Sequence, residues 1–254
     1  MLTHHIENVE GLNAEFEKKK PQEILAWAIK EFAPKIAMTS SFGPESGTLL
    51  HMVSLVDRNT PILFLETGYH FPETLAYKET LIKMFGLTQV IDLKANADKK
   101  AKFVATNDGI PYEKDPEGCC RINKVEPLQE VIGDYEAWMS GIRRHQTDFR
   151  KTIKIVEEYE GQHYKISPLA NFTSRDSWWY RNEHNIPAHP LEEKGYLSIG
   201  CSHCTRPIQA GDDERSGRWA GKNKNECGIH TFMKEVKTED GKGQQPSKHA
   251  GGGV

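Results

Sequence analysis

Five cysteines, at positions 119, 120, 201, 204 and 227, carry the most distinctive chemistry in this 254-residue sequence. They form an adjacent pair in EGCCRINK, a CxxC in CSHC, and a single thiol in NECGIH. Neighbouring cysteines bridge each other only with backbone distortion, because a disulfide fixes a dihedral angle and a Cα separation. The start, MLTHHIENVEGLNAEFEKKK, has acids among its bases and no apolar stretch, so a signal peptide is not expected. In a cytoplasmic chain an odd set of cysteines reads as metal ligands or a catalytic thiol more readily than as disulfides. CSHC alone could be a redox pair, half of a zinc site or half of an iron–sulfur site. A thioredoxin-like motif should open a helix after an early strand, and CSHC lies late in a glycine-rich region. Structural zinc takes chelating pairs with two to four residues between ligands. Cys119 and Cys120 have none between them. A 4Fe-4S cube presents separate irons, so adjacent thiolates can each take one, and four is the number it needs. Cys119, Cys120, Cys201 and Cys204 are read as cluster ligands, with zinc or no metal as the alternatives. Cys227 is left over. Lys222, Lys224 and His230 surround it, and positive neighbours favour a thiolate. Its polar flanks argue against an inert buried cysteine, so it reads as a nucleophile.

The second chemical signal is anion recognition. SGIRRHQTDFR places Arg143 and Arg144 at the end of an apolar run, and ERSGRW adds Arg215 and Arg218. Guanidinium forks bind phosphate and sulfate oxygens, although paired arginines are more often a solvated surface. Lys124 follows Cys120 by four residues. If Cys119–Glu126 is helical, the two share a face, where the cation would temper thiolate charge and reach an anionic substrate. A surface lysine is the bland alternative. SSFGPES, Ser40–Ser46, is a small loop between an expected strand and helix, where backbone N–H groups favour phosphate. It is not a Walker A loop, and an ordinary connection competes with that reading. Glu66 and Thr67 in LETGYHFPET would end the next strand on the same rim, or form only a turn.

These residues need a scaffold that brings strand ends together. Pro21–Phe32 puts Ile24, Leu25, Ala28, Ile29 and Phe32 on one stripe of a helix that starts at proline. Strands are expected over 35–40, 60–67, 87–93 and 136–142, with helices over 47–55, 72–85, 94–106 and 174–184, the last capped by Ser174. Thr152–Tyr159 and His163–Leu169 resemble a hairpin at a sheet edge. Alternation of this kind implies an α/β fold with a doubly wound, mostly parallel sheet. The division expected is an N-terminal extension (1–20), an α/β domain (21–210), a mobile catalytic segment (211–235) and a disordered tail (236–254). With a net charge of −3 and no domain-wide basic field, a nucleic-acid partner is not expected; 27% charged residues read as a polar, soluble protein, and no apolar run is long enough for a membrane.

Taken together, CC…CxxC with a late ECGIH, the SFGPES loop, ETGYHFPET and GIRRHQ make the chain similar to assimilatory adenylyl-sulfate (APS) reductases. These belong with the phosphoadenylyl-sulfate (PAPS) reductases, and the similarity runs from about Phe32 to His230. The resemblance implies an adenine-nucleotide α-hydrolase-like fold, related to ATP pyrophosphatases. It implies that Ser40, Ser41, Phe42, Gly43, Glu45, Glu66, Thr67 and Gly68 line a nucleotide pocket. It places Lys124, Arg143 or Arg144, Arg215 and Arg218 on the phosphosulfate, a 4Fe-4S cluster on Cys119, Cys120, Cys201 and Cys204, and Cys227 with His230 at the reaction. The implied activity is cleavage of APS to sulfite and AMP through an S-sulfocysteine on Cys227, resolved by thioredoxin or glutaredoxin, in cytoplasmic sulfate assimilation toward cysteine. PAPS, or both nucleotides, is the alternative substrate, and a homo-oligomer is allowed. An ATP-dependent adenylyltransferase or sulfurtransferase of the same fold is a more distant alternative, disfavoured because SFGPES departs from the fuller SGGxDS loop.

Overall fold

Alternation along the central strands determines which side chains meet across the sheet. Strand β1 (Ile36–Ser40) is buried throughout. Its Ile36 and Met38 point into one apolar layer, and Ala37 into another. Strand β2 (Ile62–Leu65) repeats this, with Ile62 and Phe64 on the first side and Leu63 and Leu65 on the second. A strand apolar on both faces needs cover on both, which is the condition for a parallel α/β sheet. The structure, a computed structural model, describes residues 5–159, 163–209 and 211–231. The expected tail over 236–254 and the hairpin turn over 160–162 lie outside the described residues.

The sheet has six strands in the order β3-β2-β1-β4-β6-β5. Strands β3 (Val90–Leu93), β4 (Ala137–Ser140) and β6 (His163–Ile166) continue the parallel set. Strand β5 (Val156–Tyr159) runs antiparallel on the edge, completing the expected hairpin. The strand order turns between β1 and β4, and ligands in such sheets bind where it does.

Helix α1 (Val9–Phe16), missed in the sequence, docks on the edge: Asn13 bonds both the carbonyl and the amide of Val156. Helices α2 (Pro21–Phe32), α3 (Ser46–Val56) and α4 (Pro72–Phe85) cover the first face. Helix α5 (Ala97–Thr106) is capped by Asn96. Two short helices, α6 (Pro111–Lys114) and α7 (Pro116–Cys120), lead to α8 (Glu126–Ile132), whose Leu128 and Ile132 join the second face. Between α7 and α8 the chain widens into a π-helical turn over Arg121–Val125. Pro127 has no N–H to give, and it follows directly where the register changes. Helix α9 (Ser174–Glu183) is capped by Thr173 rather than by Ser174, in a reciprocal box with Asp176. Among the described residues no helix is long and apolar enough to cross a membrane.

Candidate active site

The carboxyl ends of β1, β2 and β4 open into a cleft of about 210 Å³. The loop after β1 forms its floor. Ser40 Oγ accepts from the Phe42 amide at 3.2 Å, and Ser46 N–H reaches the Gly43 carbonyl at 3.0 Å as α3 begins. Phe42 takes a positive φ of 48°, a strained choice for an aromatic residue. Its ring is fully buried edge-on to Phe64, with centroids 5.5 Å apart. Ser40, Ser41, Gly43 and Glu45 face the cleft. Phe42 does not; it anchors the loop from behind.

Arg143 lies just past the end of β4, 2% exposed, and its guanidinium is ion-paired with Glu45 across the cleft. Arg144 turns away. It donates to Glu17 at 2.6 and 3.0 Å and to the Ile153 carbonyl at 2.9 Å, which ties α1 to the sheet. Lys124, Arg215, Arg218, Cys227 and His230 join Arg143 in lining the cleft. Arg215 donates to the Asn225 carbonyl at 2.9 Å. Burial first, then repulsion from Arg150 and Arg218, pushes its pKa down to about 10, so it stays charged at neutral pH. Arg218 lies over the Trp219 ring, 4.4 Å from its centroid. A concentration of guanidinium groups in a partly desolvated cleft is a receptor for a polyanion.

Cys227 sits at this cleft on a segment held from several sides. Ile229 packs on the second apolar layer, and His230 is buried with its ring 6.1 Å from Trp138. Burial, then Lys165, Arg150 and Arg215, holds the His230 pKa well below the usual histidine value, so the ring is neutral. Its Nδ1 has no hydrogen-bond partner. Two lining residues escaped the sequence reading. Arg150 donates through Nε and Nη2 to both carboxylate oxygens of Glu226, each at 2.7 Å. Glu226 was visible only as a neighbour of Cys227, and nothing local pairs it with a residue 76 positions away.

The other four cysteines line a separate small cavity, with Tyr69, Tyr112, His203, Asn123 and Trp219 around them. All five thiols are free. Asn123 Nδ2 points at Cys119 Sγ from 3.7 Å, and Thr67 Oγ1 lies 3.5 Å from Cys201 Sγ. Glu66, Thr67 and Gly68 do not border the cleft; of the three, Thr67 reaches Cys201. Glu66 accepts from the Gly68 amide at 2.6 Å, and the Tyr69 carbonyl accepts from the Ser202 amide at 2.8 Å. Burial, then Cys201 and Cys204, raises the Cys119 pKa to about 11. Burial likewise pushes Cys120 up to about 12, against the pull of Lys124. Among the described residues no three His, Cys, Asp or Glu side chains are grouped closely enough to hold a metal ion. Lys124 lines both cavities. Burial works against its ammonium, but Cys201, Cys227 and Cys120 more than offset this, so its pKa lies above the ordinary lysine value.

Residues 35–207 match the phosphoadenosine phosphosulfate reductase domain. Over 231 residues the chain is 42% identical to adenosine 5'-phosphosulfate reductase of Mesorhizobium japonicum, covering 91% of this chain and 90% of that one. It is 37% identical to the enzyme of that name from Bacillus cereus, covering 91% and 99%. A crystal structure of Candida auris phosphoadenylyl-sulfate reductase, in a phosphate complex, superposes with a TM-score of 0.67 at 26% identity, covering 80% of this chain and 98% of that one. Candida glabrata FMN adenylyltransferase, at 15% identity and a TM-score of 0.53 over 81% of this chain and 68% of its own, shares the fold alone. This chain belongs to the phosphoadenosine phosphosulfate reductase family.

Proposed function

We propose that this protein is an oxidoreductase that cleaves adenylyl sulfate to AMP and sulfite. The observation that carries the reading is the placement of Cys227 in the same cleft as Arg143, Arg215, Arg218 and Lys124. A phosphosulfate is a compact polyanion with an electrophilic sulfur, and this cleft offers cations and a free thiol together. The names of the relatives at 37–42% identity favour APS over PAPS as substrate.

In this mechanism the Cys227 thiolate attacks the sulfonate sulfur. The bond from that sulfur to the phosphate oxygen breaks, and AMP leaves with the electron pair. Arg215, Arg218 and Lys124 neutralise charge on the phosphosulfate oxygens as it shifts toward the leaving group. His230, held neutral, serves as a hydrogen-bond partner in the cleft and not as a strong base. The product is an S-sulfocysteine. An external thiol attacks Cys227 Sγ and releases sulfite, and a second external thiol resolves the mixed disulfide. Both electrons therefore come from thiols, and a dithiol partner of the thioredoxin or glutaredoxin class supplies the pair. Free cysteines throughout suit a reducing compartment, which supports a cytoplasmic location.

Cys119, Cys120, Cys201 and Cys204 would hold a 4Fe-4S cluster. The donor set supports this: four thiols line one cavity. When bound, the cluster would supply a rigid anchor and a local field beside Lys124. Iron and sulfide counts after anaerobic purification test that part. The function is tested by measuring sulfite from APS and from PAPS with reduced thioredoxin and with glutaredoxin. Sulfite from neither nucleotide would refute the reading, and pyrophosphate release from ATP would replace it.

A further inference from the structure

The four cysteines of the small cavity are covered unequally. Cys119, Cys120 and Cys201 are buried, and Cys204 is half-buried. Lys124 and Trp219 divide this cavity from the anion cleft, since both line the two. Tyr69, Tyr112 and His203 line only the cysteine cavity, and each is half-buried. The three rings touch one another. His203 stacks on Tyr112 with centroids 3.7 Å apart and planes 21° from parallel. Tyr69 meets His203 edge-on at 4.6 Å and Tyr112 at 6.2 Å. Rings stacked at 3.7 Å are in van der Waals contact, with no space for water between them. Each ring comes from a different segment, and each segment is tied to the thiols. The Tyr69 carbonyl accepts from the Ser202 amide at 2.8 Å. The Tyr69 amide donates to Thr67 Oγ1 at 3.2 Å, the hydroxyl that lies 3.5 Å from Cys201 Sγ. Tyr112 belongs to α6, directly before the helix that carries Cys119 and Cys120, and its carbonyl accepts from Lys222 Nζ at 2.6 Å. His203 stands inside CSHC itself. Lys100 Nζ braces Tyr69, 4.6 Å from its ring centroid. His203 Nε2 is buried without a hydrogen-bond partner, so packing and not a polar bond at that atom sets the ring's orientation.

We propose that Tyr69, His203 and Tyr112 form an aromatic door over the four thiols, which keeps small electrophiles out of the cysteine cavity until the His203–Tyr112 stack separates. The inference rests on the function proposed above only for what the cavity holds; the contacts between the rings stand on geometry alone. His203 is the central panel, because it touches both tyrosines. Removing it leaves Tyr69 and Tyr112 in contact only at 6.2 Å, with a gap the size of an imidazole beside Cys204. Ring area does the covering, so a phenylalanine in place of Tyr112 should serve as well as the tyrosine, and an aliphatic side chain should not. Opening is a local event, because the three segments meet through side chains and a few backbone bonds and not through a shared helix or strand. A group bound on the thiols is shielded by the same door, and none of the three rings borders the cleft where the nucleotide is expected.

The test uses His203→Ala, which removes the central ring, and Tyr112→Leu, which removes the stacking face from the other side should the first variant not fold. Tyr112→Phe keeps the face and drops only the hydroxyl. Each full-length protein, purified anaerobically, is treated with iodoacetamide, whose iodide is displaced by a thiolate to leave a thioether. Peptide mass spectrometry follows the five cysteines separately, and iron is counted in the same samples. We expect alkylation of Cys119 and Cys201 to speed up by about ten-fold in His203→Ala and in Tyr112→Leu, and to stay within about two-fold of the parent in Tyr112→Phe. Cys227, in the other cavity, is the internal reference and should keep its rate. Unchanged rates at Cys119 and Cys201 in both ring-removing variants overturn the door. So does a Tyr112→Phe protein as reactive as Tyr112→Leu, or an equal rise at all five cysteines, which would mean that the fold has loosened as a whole. Where the parent carries iron, it should leave in step with alkylation, and faster in the same two variants. A parent without iron would refute the cluster reading, and the pattern of alkylation would still decide whether the rings close the cavity.

Discussion

A methyl group at Gly200 should weaken nucleotide binding through Arg218. Gly200 borders the cleft, and a Cβ placed on it would lie 2.2 Å from Arg218 Nη2, 2.5 Å from Cζ and 3.0 Å from Nη1. Carbon and nitrogen settle at roughly 3.5 Å, so the guanidinium must retreat by about 1 Å. It is free to do so, because Arg218 Nε has no hydrogen-bond partner and the side chain rests on Trp219. Gly200 is not among the glycines with positive φ, so alanine fits its backbone and the fold should lose less than about 1 kcal/mol. Binding is different. A hydrogen bond to a charged group contributes about 1.5–3 kcal/mol, and losing Arg218 from the anion would weaken affinity about 10- to 150-fold. Calorimetric titration of AMP and adenylyl sulfate at fixed ionic strength measures this, with the effect larger for the nucleotide that carries the sulfonate. Arg218→Met should reproduce the loss. Adding Gly200→Ala to it should cost nothing more, since the methyl acts only through the displaced guanidinium. A full additional loss in the double variant, or unchanged affinity in both singles, would refute the reasoning.

Three further outcomes follow from the same geometry. Cys227→Ser should keep the parent's iron content and nucleotide affinity while sulfite formation falls below detection, as read in single-turnover assays. Cys201→Ser should lose iron, and because Trp219 N–H bonds the Cys204 carbonyl at 3.0 Å, it should also weaken nucleotide binding; full affinity in iron-free protein would contradict this. His189 should contribute to acid unfolding. Its Nδ1 accepts from the Leu191 amide at 3.1 Å and burial lowers its pKa to about 4, so the fold prefers it neutral. Its stabilisation, at most about 3 kcal/mol, is complete above the unfolded value of about 6.5 and is lost as pH falls toward 4. Urea midpoints at pH 7 and pH 4.5 should converge in His189→Gln relative to the parent.

What the sequence discloses here follows the reach of each signal. The alternation of Ile36 and Met38 against Ala37 is written within five residues, and so the central strands could be placed by eye. Burial on both faces then implied the parallel sheet, and the hairpin was legible from two β-rich runs. Helix α1 was not, because its stripe is short and its place depends on Asn13 meeting Val156, 143 residues away. The π-turn has no local marker beyond Pro127. Among the site residues, types were readable and directions were not. Arg143 and Arg144 are chemically identical, but neighbours at a strand end diverge, and only the distant Glu17 and Glu45 determine which one faces the cleft. Glu66 and Thr67 are read toward the nucleotide from rim position, and Gly68 from the resemblance; none of the three borders the cleft, and the Thr67 hydroxyl lies against Cys201.

The two cavities are mechanically one device. The Ser202 amide bonds the Tyr69 carbonyl at 2.8 Å, which ties CSHC to the end of β2. The Trp219 amide bonds the Cys204 carbonyl at 3.0 Å, and Arg206 N–H bonds the Gly217 carbonyl at 3.0 Å, so the ERSGRW loop hangs from CSHC. Thr205 and Arg218 pair as an isolated bridge in the same place. Whatever fixes the four thiols therefore fixes the height of Arg215 and Arg218 over the cleft, while Lys124 reaches both cavities from below. In the mechanism proposed above thiols supply both electrons, so a group bound there would act on the anion through position and charge alone. A lysine suits the position that borders both cavities: one compact ammonium can answer thiolates on one side and phosphate oxygens on the other, whereas a planar guanidinium commits its fork to one partner.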